Sequence, residues 1–403
     1  MIWPSNSLFF EHPDIFGVSF DSRLVKKGDL FIALKGENFD GHDFVEEALK
    51  NGASCALVEK KICENNIVVG SCLNSFVQIA KYRRSLFKGQ IVGITGSVGK
   101  STFRYSLVKS LFSQFKVEAP IKNYNTLIGI SYFLSQINLE SDFLIIELGI
   151  EMIGEMQKIS SLVIPDYSFL TNVSTAHSYY LGSLFSILNE KSVIFEHTKK
   201  CAFFIDNIWY SDYLRNSLNG QGLKFRTFKF NEDSRLLLKN AALELFDELK
   251  IDTTFVVDEL VGRRDVFSFE KNGYQFSIID SSYNANISSM INDLNFFKSF
   301  SKNKKIAILG DMFGYSQRHH EYLSLYASFV DECWLVGENM RALSKILPKN
   351  MFFDSVEDLI NYVHSFFRDP PFACDMFIKG SNRVGLTRLV QEIRSLSKLV
   401  LDV

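Results

Sequence analysis

Residues 91–102 read Ile-Val-Gly-Ile-Thr-Gly-Ser-Val-Gly-Lys-Ser-Thr, and this stretch decides the fold of the chain. Its apolar first half predicts a buried strand, its glycines predict a tight turn, and a helix is expected to begin at Lys100. Backbone N–H groups at such a turn and the dipole of the following helix favour a bound phosphate chain. The stretch therefore predicts a site for a nucleotide triphosphate. The alternative is a chance glycine turn between a strand and a helix.

Two side chains of this turn have separate expected roles. Lys100 is expected to reach the β- and γ-phosphates, and the hydroxyl of Ser101 is expected to hold magnesium. The strict phosphate-loop pattern places a glycine at position 94, where this chain has Ile94. Gly96 stands in the turn instead.

The sequence on both sides of the turn predicts an α/β fold. Short apolar runs alternate with segments of helical period, which favours parallel sheets covered by helices. Near 265–280 the pattern changes to a hairpin around a Lys-Asn-Gly turn, and the alternation that follows is typical of a second doubly wound unit. We therefore predict domains at 1–85, 86–262 and 263–403.

Composition excludes several classes of protein. The 403 residues carry 44 basic and 46 acidic side chains, so no basic surplus indicates a nucleic-acid partner. No apolar run approaches the roughly 20 residues of a membrane-spanning helix, and no basic segment with an apolar run opens the chain. The 6 cysteines form no C-x-x-C pair, which predicts single buried thiols in a reducing compartment. We therefore expect a protein without a membrane span that stays in the cytoplasm.

Downstream strands bring further polar side chains toward the same edge of the sheet. The predicted strand 143–147 ends in Glu147, where a carboxylate suits magnesium, because ligands gather at the carboxyl ends of strands in open α/β sheets. A buried, paired glutamate is the alternative. His177 lies in the loop beyond the next strand, which leaves both a ligand and a surface residue open. Lys191, on a helix expected at 183–196, is by composition alone a solvated surface charge.

Together these features resemble the Mur ligase family, and the resemblance spans nearly the whole chain. The family's phosphate loop, Thr-Gly-Ser-x-Gly-Lys-Thr/Ser, matches Thr95 to Ser101 and accounts for Ile94. The most specific match is Asp280-Ser-Ser-Tyr-Asn-Ala-Asn286, followed by Leu309-Gly310-Asp311-Met312. The remaining matches are Asp21-Ser22-Arg23, Gly28-Asp29-Leu30-Phe31, Ala33-Leu34, Gly36, Asp40-Gly41-His42, Ser289-Met290 and Lys379-Gly380-Ser381.

The resemblance implies a fold, a reaction and partners. The implied fold is α/β in three domains: a small UDP-binding domain, a shortened central P-loop ATPase-like domain with a parallel sheet, and a C-terminal Rossmann-like doubly wound domain. The implied reaction is ATP-driven amide-bond formation. The Tyr-Asn-Ala-Asn block favours the branch that joins D-alanyl-D-alanine to UDP-N-acetylmuramoyl-tripeptide. ATP and Mg²⁺ are the implied cofactors, and a monomer is expected.

The resemblance also implies roles for individual residues. Lys191 falls where the family carries a carbamylated lysine, an anion formed with CO₂ that holds magnesium. The implied catalytic residues are Lys100, Lys191, His177 and Glu147, and the implied metal ligands are Ser101, Glu147, His177 and Lys191. The implied ATP contacts are Thr95, Gly96, Ser97, Val98, Gly99, Lys100, Ser101, Thr102, Asn240, Arg263, Asp280, Tyr283 and Asn284. The implied substrate contacts are Ser22, Arg23, Asn123, Asn125 and Thr126.

Several positions depart from the family pattern. Thr126 replaces an asparagine, Tyr179 replaces a glutamate, Leu237 replaces the first asparagine of the adenine pair, and Phe313-Gly314 shortens the stretch after Gly-Asp-Met. These changes leave open a nucleotide-binding scaffold that has lost catalysis. A sister ligase adding one amino acid, or a folate-type polyglutamate ligase, is the other alternative, and the Tyr-Asn-Ala-Asn block argues against it. Because the phosphate, metal and lysine positions are intact, we expect a working enzyme.

Overall fold

The chain forms two compact units. One contains residues 1–172 and 185–257, and the other contains residues 173–184 and 258–403. The computed structural model describes residues 15–36, 39–121, 124–174, 183–207, 210–229, 234–256, 262, 264–285, 287–300, 303–312 and 318–398.

A small sheet lies at the start of the first unit. Its strands pair in parallel in the order β1-β2-β3-β4. Apart from Asp29, the residues of β2 and β3 are apolar and buried on both faces, as is typical of parallel strands covered on both sides. Val45 and Phe76, from two helices, join the same core. The elements are β1 (Gly17–Ser19), β2 (Asp29–Ile32), β3 (Cys55–Val58), β4 (Asn66–Val68), α1 (Val45–Lys50) and α2 (Cys72–Leu86).

A larger parallel sheet in the same unit has the order β10-β9-β8-β5-β7-β6. Its strands are β5 (Gln90–Thr95), β6 (Val117–Glu118), β7 (Phe143–Glu147), β8 (Tyr167–Leu170), β9 (Cys201–Asp206) and β10 (Lys224–Lys229). Strands β7 and β8 flank β5 on opposite sides. The loops that follow these three strands therefore meet at one edge, the position where open α/β sheets bind ligands.

Helices cover the faces of this sheet and contribute to its core, which includes Phe103 and Ala241. They are α3 (Lys100–Leu111), α4 (Leu127–Gln136), α5 (Glu155–Val163), α6 (Leu184–Ser192), α7 (Ser211–Gln221) and α8 (Ser234–Leu249).

The second unit contains a sheet in the order β11-β12-β16-β13-β14-β15. Strands β11 and β12 form an antiparallel hairpin, and the other neighbours pair in parallel. Asn272 and Gly273 turn the hairpin with positive φ values of 53° and 80°, as a two-residue hairpin turn requires. The strands are β11 (Asp265–Lys271), β12 (Tyr274–Asp280), β13 (Lys304–Gly310), β14 (Glu332–Val336), β15 (Asn350–Phe353) and β16 (Cys374–Lys379). The helices are α9 (Ile287–Phe300), α10 (Arg318–Ala327), α11 (Met340–Ser344), α12 (Val356–Arg368) and α13 (Leu386–Lys398).

The predicted α/β class is confirmed, and so are the hairpin and the strand before the glycine turn. The helix expected at 183–196 is α6 followed by a 3₁₀ turn, Val193–His197. The domain boundaries near 85 and 263 stay predictions, because the first two sheets share one compact unit.

The predictions from composition about the cysteines and about membrane spans can be compared with the structure. All 6 cysteines are free thiols, and five of them are buried. Within the described ranges, the structure contains no helix with the length and apolar character needed to cross a membrane.

Candidate active site

The phosphate loop is the turn between β5 and α3. Gly96 and Gly99 have φ values of 145° and 85°, which side chains other than glycine rarely adopt. A Cβ atom on Gly96 would also lie 2.0 Å from the hydroxyl oxygen of Thr171. Backbone angle and available space therefore both require glycine at position 96.

The first turn of α3 supplies donors for an anion. Its first helical bond runs from the N–H of Phe103 to the carbonyl of Gly99 at 2.9 Å. The N–H groups of Ser101 and Thr102 precede that bond, where the helix offers no carbonyl to accept them. Such groups, reinforced by the helix dipole, form a phosphate site.

The two residues that follow β8 hold the loop from the other side. The Thr171 hydroxyl donates to the carbonyl of Val98 at 2.8 Å. The Asn172 Oδ1 atom accepts the N–H groups of Ser97 at 3.0 Å and Val98 at 2.8 Å. The sequence predicted that several N–H groups of the loop point at the phosphate, but those of Ser97 and Val98 donate to Asn172 instead. Ser97 and Val98 give the loop its shape, and the first turn of α3 presents the donors.

The hydroxyl of Ser101, in the first turn of α3, and the carboxylate of Glu147, at the end of β7, form a pair of oxygen groups that fits a magnesium ion. The Ser101 hydroxyl donates to Oε2 of Glu147 at 2.6 Å, and the Asn125 amide donates to Oε1 at 3.1 Å. Glu147 is therefore both buried and paired, and its carboxylate adjoins the hydroxyl expected to hold the metal. Hydroxyl and carboxylate oxygens are ligands that Mg²⁺ prefers. Among the described residues, no group of three or more His, Cys, Asp or Glu side chains offers another metal site.

Two lysine amines meet one backbone oxygen. The Nζ atoms of Lys100 and Lys191 lie 2.8 Å and 3.3 Å from the carbonyl oxygen of Gly96. The Lys191 side chain is 1% exposed, so the interpretation of Lys191 as a surface charge is wrong. Burial, and then the adjacent Lys100 ammonium, hold the pKa of Lys191 well below its ordinary 10.5, although the carboxylates of Glu190 and Glu147 oppose this. Lys191 is therefore deprotonated more readily than an exposed lysine.

Two family profiles match the regions that hold these features. The Mur ligase middle domain matches residues 94–278, and the Mur ligase family, catalytic domain, matches residues 14–86. Together they cover more than half of the chain. The chain belongs to the Mur ligase family.

Relatives of this Mur ligase extend the likeness to most of the chain. The UDP-N-acetylmuramoyl-tripeptide–D-alanyl-D-alanine ligase of Rickettsia prowazekii (strain Madrid E) is 28% identical over 93% of this chain and 94% of its own length. The Treponema pallidum (strain Nichols) protein of the same name is 35% identical over 50% of this chain and 47% of its own. The crystal structure of MurF ligase from Thermotoga maritima in complex with ADP has a TM-score of 0.78 at 23% identity, and the match covers 93% of this chain and 96% of that one. The last comparison concerns the fold alone.

The proposed UDP contacts of this Mur ligase lie in a short 3₁₀ turn after β1. Ser22 is buried, and its hydroxyl donates to the carboxylate of Glu47 at 3.1 Å. Arg23 is exposed and forms a two-point pair with Asp21 at 2.9 Å and 2.7 Å. Arg23 therefore presents its guanidinium to solvent, whereas Ser22 is tied into the turn.

The proposed peptide-side loop packs against aromatic rings. Tyr124 lies edge-on to Phe20 and Tyr132, with ring centroids 6.2 Å and 5.5 Å away. Thr126 is exposed and caps α4 by accepting the N–H of Gly129 at 3.5 Å. Asn125, between them, is thereby held where its amide reaches the carboxylate at the end of β7.

Helix α8 passes beside the phosphate loop. A Cβ atom on Gly99 would lie 3.7 Å from Leu238, and Asn240 follows two residues later in a half-buried position. This neighbourhood is compatible with the adenine contact that the family resemblance implies for Asn240. Three further implied residues, Asn123, His177 and Arg263, lie outside the described residues.

The Tyr-Asn-Ala-Asn block follows β12 in the second unit. Asp280 is fully buried, its Oδ1 accepts the N–H of Ser282 at 2.9 Å, and burial raises its pKa. The N–H of Tyr283 donates to the carbonyl of Gly262 at 3.0 Å. Asn284 is exposed. Gly262 is therefore bonded directly to this loop.

A buried ion cluster fixes the same loop. Asp293 on α9 accepts from Arg264 Nε at 2.5 Å and from Lys379 Nζ at 2.9 Å. Lys379 also donates to the carbonyl of Asn284 at 3.1 Å. Lys379, from the Lys-Gly-Ser motif, thus links β16, α9 and the Tyr-Asn-Ala-Asn block.

Replacing Asp293 with alanine is expected to destabilise the second unit by about 3 kcal/mol, because two largely buried cations would lose their shared carboxylate. Calorimetric unfolding measures the loss. Asp354→Ala is the matched control, since Asp354 pairs with Arg341 while 76% of its side chain is exposed. That variant should change stability by less than about 0.5 kcal/mol. Equal losses in the two variants would contradict the assignment.

The contribution of Asp293 to stability has a predictable pH dependence. Burial alone would raise the pKa of Asp293, but Lys379 and Arg264 hold it below its ordinary 3.8. A lowered folded-state pKa contributes stability that is complete above the unfolded pKa and is lost as pH falls through the folded value. Below pH 3.8 the difference in stability between the parent and Asp293→Ala should therefore shrink.

Two side chains that hold the loops described above were absent from the sequence-based prediction: Asn172, which holds the phosphate loop, and Asp293, which holds the Tyr-Asn-Ala-Asn loop. A signal existed for Asn172, because it follows the carboxyl end of a strand beside β5 by two residues, close to the kind of position that indicated Glu147. Asp293 lies on a helix, and helical period does not reveal which partners a buried carboxylate contacts.

Proposed function

We propose that this chain is the ATP-dependent ligase that joins D-alanyl-D-alanine to UDP-N-acetylmuramoyl-tripeptide. The observation that carries the proposal is the convergence of Lys100, Ser101, Glu147 and Lys191 at one phosphate loop. The Rickettsia prowazekii relative that bears this ligase name aligns with 93% of the chain. The product would complete the cytoplasmic precursor of peptidoglycan.

The reaction requires activation of a carboxylate, because an amide does not form spontaneously from a carboxylate and an amine in water. The γ-phosphoryl group of ATP passes to the terminal carboxylate of the tripeptide, which releases ADP and leaves an acyl phosphate. The amine of D-alanyl-D-alanine then attacks the acyl carbon. Inorganic phosphate leaves with the C–O electron pair, and the nitrogen gives up a proton.

The chain's own groups meet the charge of the phosphoryl transfer. The first turn of α3 binds phosphate oxygens, and the Lys100 ammonium neutralises charge on the terminal phosphates. Ser101 and Glu147 would hold magnesium, which supplies further neutralisation when bound. Asn125 keeps the Glu147 carboxylate oriented toward Ser101.

We also propose that Lys191 becomes a carbamate. Its buried amine, with a pKa well below 10.5, exists readily as the neutral nucleophile that attacks CO₂. An N–C bond forms, a proton leaves, and the side chain becomes an anion that suits a magnesium site better than an ammonium does. A ¹³C carbamate resonance in protein equilibrated with ¹³C-bicarbonate, absent from Lys191→Ala, would support this step.

Lys191→Ala is expected to lose activity and to regain part of it with short carboxylic acids such as acetate or propionate, which replace the missing anion. Steady-state rates with and without the acid measure this rescue. Lys199→Ala, an exposed lysine in the turn before β9, is the control and should keep its activity without the acid. Full activity of Lys191→Ala without any acid would remove Lys191 from the mechanism.

Phosphate release by the purified protein tests the whole proposal. A ligase of this kind releases phosphate only when ATP, magnesium, the UDP-linked tripeptide and D-alanyl-D-alanine are all present, and mass spectrometry finds the pentapeptide product. A scaffold binds ATP without turnover. A sister ligase instead uses a shorter precursor and a single amino acid. No ATP consumption with both partners present would overturn the proposal.

The proposal includes a cytoplasmic location and a monomeric state. ATP and UDP-linked precursors are cytoplasmic molecules, so the reaction belongs in that compartment. Light scattering of the purified protein tests the monomer, and a mass twice 46.1 kDa would contradict it.

A further inference from the structure

Glu190 is a buried carboxylate with no part in the chemistry described above. It precedes Lys191 on α6 and is 7% exposed. Its Oε2 and Oε1 atoms accept the N–H groups of Gly154 and Met156, both at 2.9 Å. These N–H groups lie at the N-terminus of α5, where the cap residue Gly154 has no side chain to accept them. Glu190 therefore caps α5 from a neighbouring helix.

A second carboxylate shapes the same turn from within α5. Glu155 accepts the N–H groups of Glu151 at 2.6 Å and Met152 at 2.9 Å. Because Glu155 belongs to α5 itself, these bonds do not tie the turn to α6. The two glutamates thus make the same kind of bond, and of these two only Glu190 connects α5 to the helix that carries Lys191.

The segment that Glu190 holds leads directly from the metal-site carboxylate. Residues 148–154 join Glu147 to α5. Near its start, the N–H of Gly149 donates to the carbonyl of Asn125 at 2.9 Å. The segment is therefore fixed beside Glu147 at one end and by Glu190 at the other.

We propose that Glu190 is a positioning residue that places the amine of Lys191 at the phosphate loop. Adjacent side chains on a helix point about 100° apart, so a carboxylate anchored on α5 fixes the direction of the next side chain. That side chain reaches the carbonyl of Gly96 at 3.3 Å. Charge-assisted bonds to the positive end of a helix make the anchor strong. The inference rests on the proposed function, which gives Lys191 its role.

A purely structural cap makes a different prediction from a positioning residue. A cap contributes to stability whatever residue stands at position 191. A positioning residue acts through Lys191, so its effect on turnover disappears when that amine is absent. A double-mutant cycle separates these two cases.

The cycle compares the parent protein, Glu190→Ala, Lys191→Ala and the double variant, with melting temperatures recorded for all four. Glu190→Ala is expected to lower kcat about 10- to 100-fold, the usual effect of losing a group that orients an active-site side chain. In the Lys191→Ala background the same change should lower kcat less than about two-fold. Glu190→Gln, which retains one acceptor oxygen, should give an intermediate rate and guards against misfolding of the alanine variant.

Glu155→Gln is the matched control, because it weakens bonds in the same turn without touching α6. It should keep kcat within about two-fold of the parent, as surface changes away from a site usually do. Multiplicative losses in the cycle, or an equal loss from Glu155→Gln, would overturn the positioning role.

The ADP affinity of the same four proteins is also measured by calorimetry. This is a second test, because Lys100 and Lys191 both bond the loop that would hold the nucleotide. This measurement does not depend on ligase turnover. An inactive parent protein would sink the proposed function, whereas an active parent with additive effects would sink only the role of Glu190. In an inactive parent, additive losses of ADP affinity would reject that role as well.

Discussion

Replacing Lys100 with alanine should lower kcat about a thousand-fold or more, because phosphoryl transfer depends on charge neutralisation by groups already in place. Lys100 is the first residue of α3, and its amine bonds the carbonyl of Gly96 at the loop itself. Phosphate release under saturating substrates measures the effect. The KM for ATP should also rise, because the same amine binds the ground-state phosphates.

Lys109→Ala provides the control for this variant. Lys109 lies in the last turn of the same helix and is exposed, so its removal tests the loss of a lysine from α3 without touching the loop. Its kcat should remain within about two-fold of the parent. Parent-like turnover in Lys100→Ala would remove the core of the proposed function.

Glu147→Gln should have the second-largest effect, a loss of about 100- to 1000-fold at low magnesium concentration. Glutamine keeps an oxygen for the Ser101 hydroxyl, which lies 2.6 Å from the native carboxylate, but it lacks the negative charge that attracts a divalent cation. High magnesium should therefore restore part of the activity. A titration of kcat against magnesium for both proteins measures the shift.

Glu140→Gln is the control for the charge change, because Glu140 is a glutamate whose side chain is 81% exposed. Its magnesium dependence should match that of the parent. If Glu147→Gln also followed the parent curve, Glu147 would be only a buried hydrogen-bonding residue, as the alternative interpretation of the strand end holds.

The fold could be predicted largely from the periodicity of apolar residues. Strand β7 is fully buried, and β5 and β9 are buried except for one end residue each, so their apolar composition predicts central parallel strands. Strand β6 has 2 residues and β15 has 4, neither fully buried. Such short, partly exposed edges show too few periods to be recognised.

The placement of candidate site residues was predictable where a motif fixes the backbone. The glycine pattern of the loop and the polar residue that ends β7 indicated Lys100, Ser101 and Glu147, and the structure places all three at the phosphate loop. Burial of Lys191 was not predictable from composition, because a lysine on a helix is normally exposed. The structure shows 1% exposure because the end of α6 packs against the loop at Gly96.

The bonds of Asn172 could not be predicted for a different reason. Its amide oxygen competes with phosphate for the same class of donor, and sequence does not show which acceptor a loop N–H selects. The same limit applies to Asp293, whose two cations come from positions 264 and 379. Pairing between residues so distant in the chain depends on the tertiary structure.

The single carbonyl that both lysine amines share has a thermodynamic consequence. When a phosphate draws the Lys100 ammonium away from the Gly96 oxygen, Lys191 keeps that acceptor for itself. Occupancy by nucleotide and the charge on Lys191 are then coupled equilibria, and coupling of this kind is reciprocal. If bound nucleotide changes the ionisation constant of Lys191 by some factor, ionisation of Lys191 changes the affinity for nucleotide by the same factor.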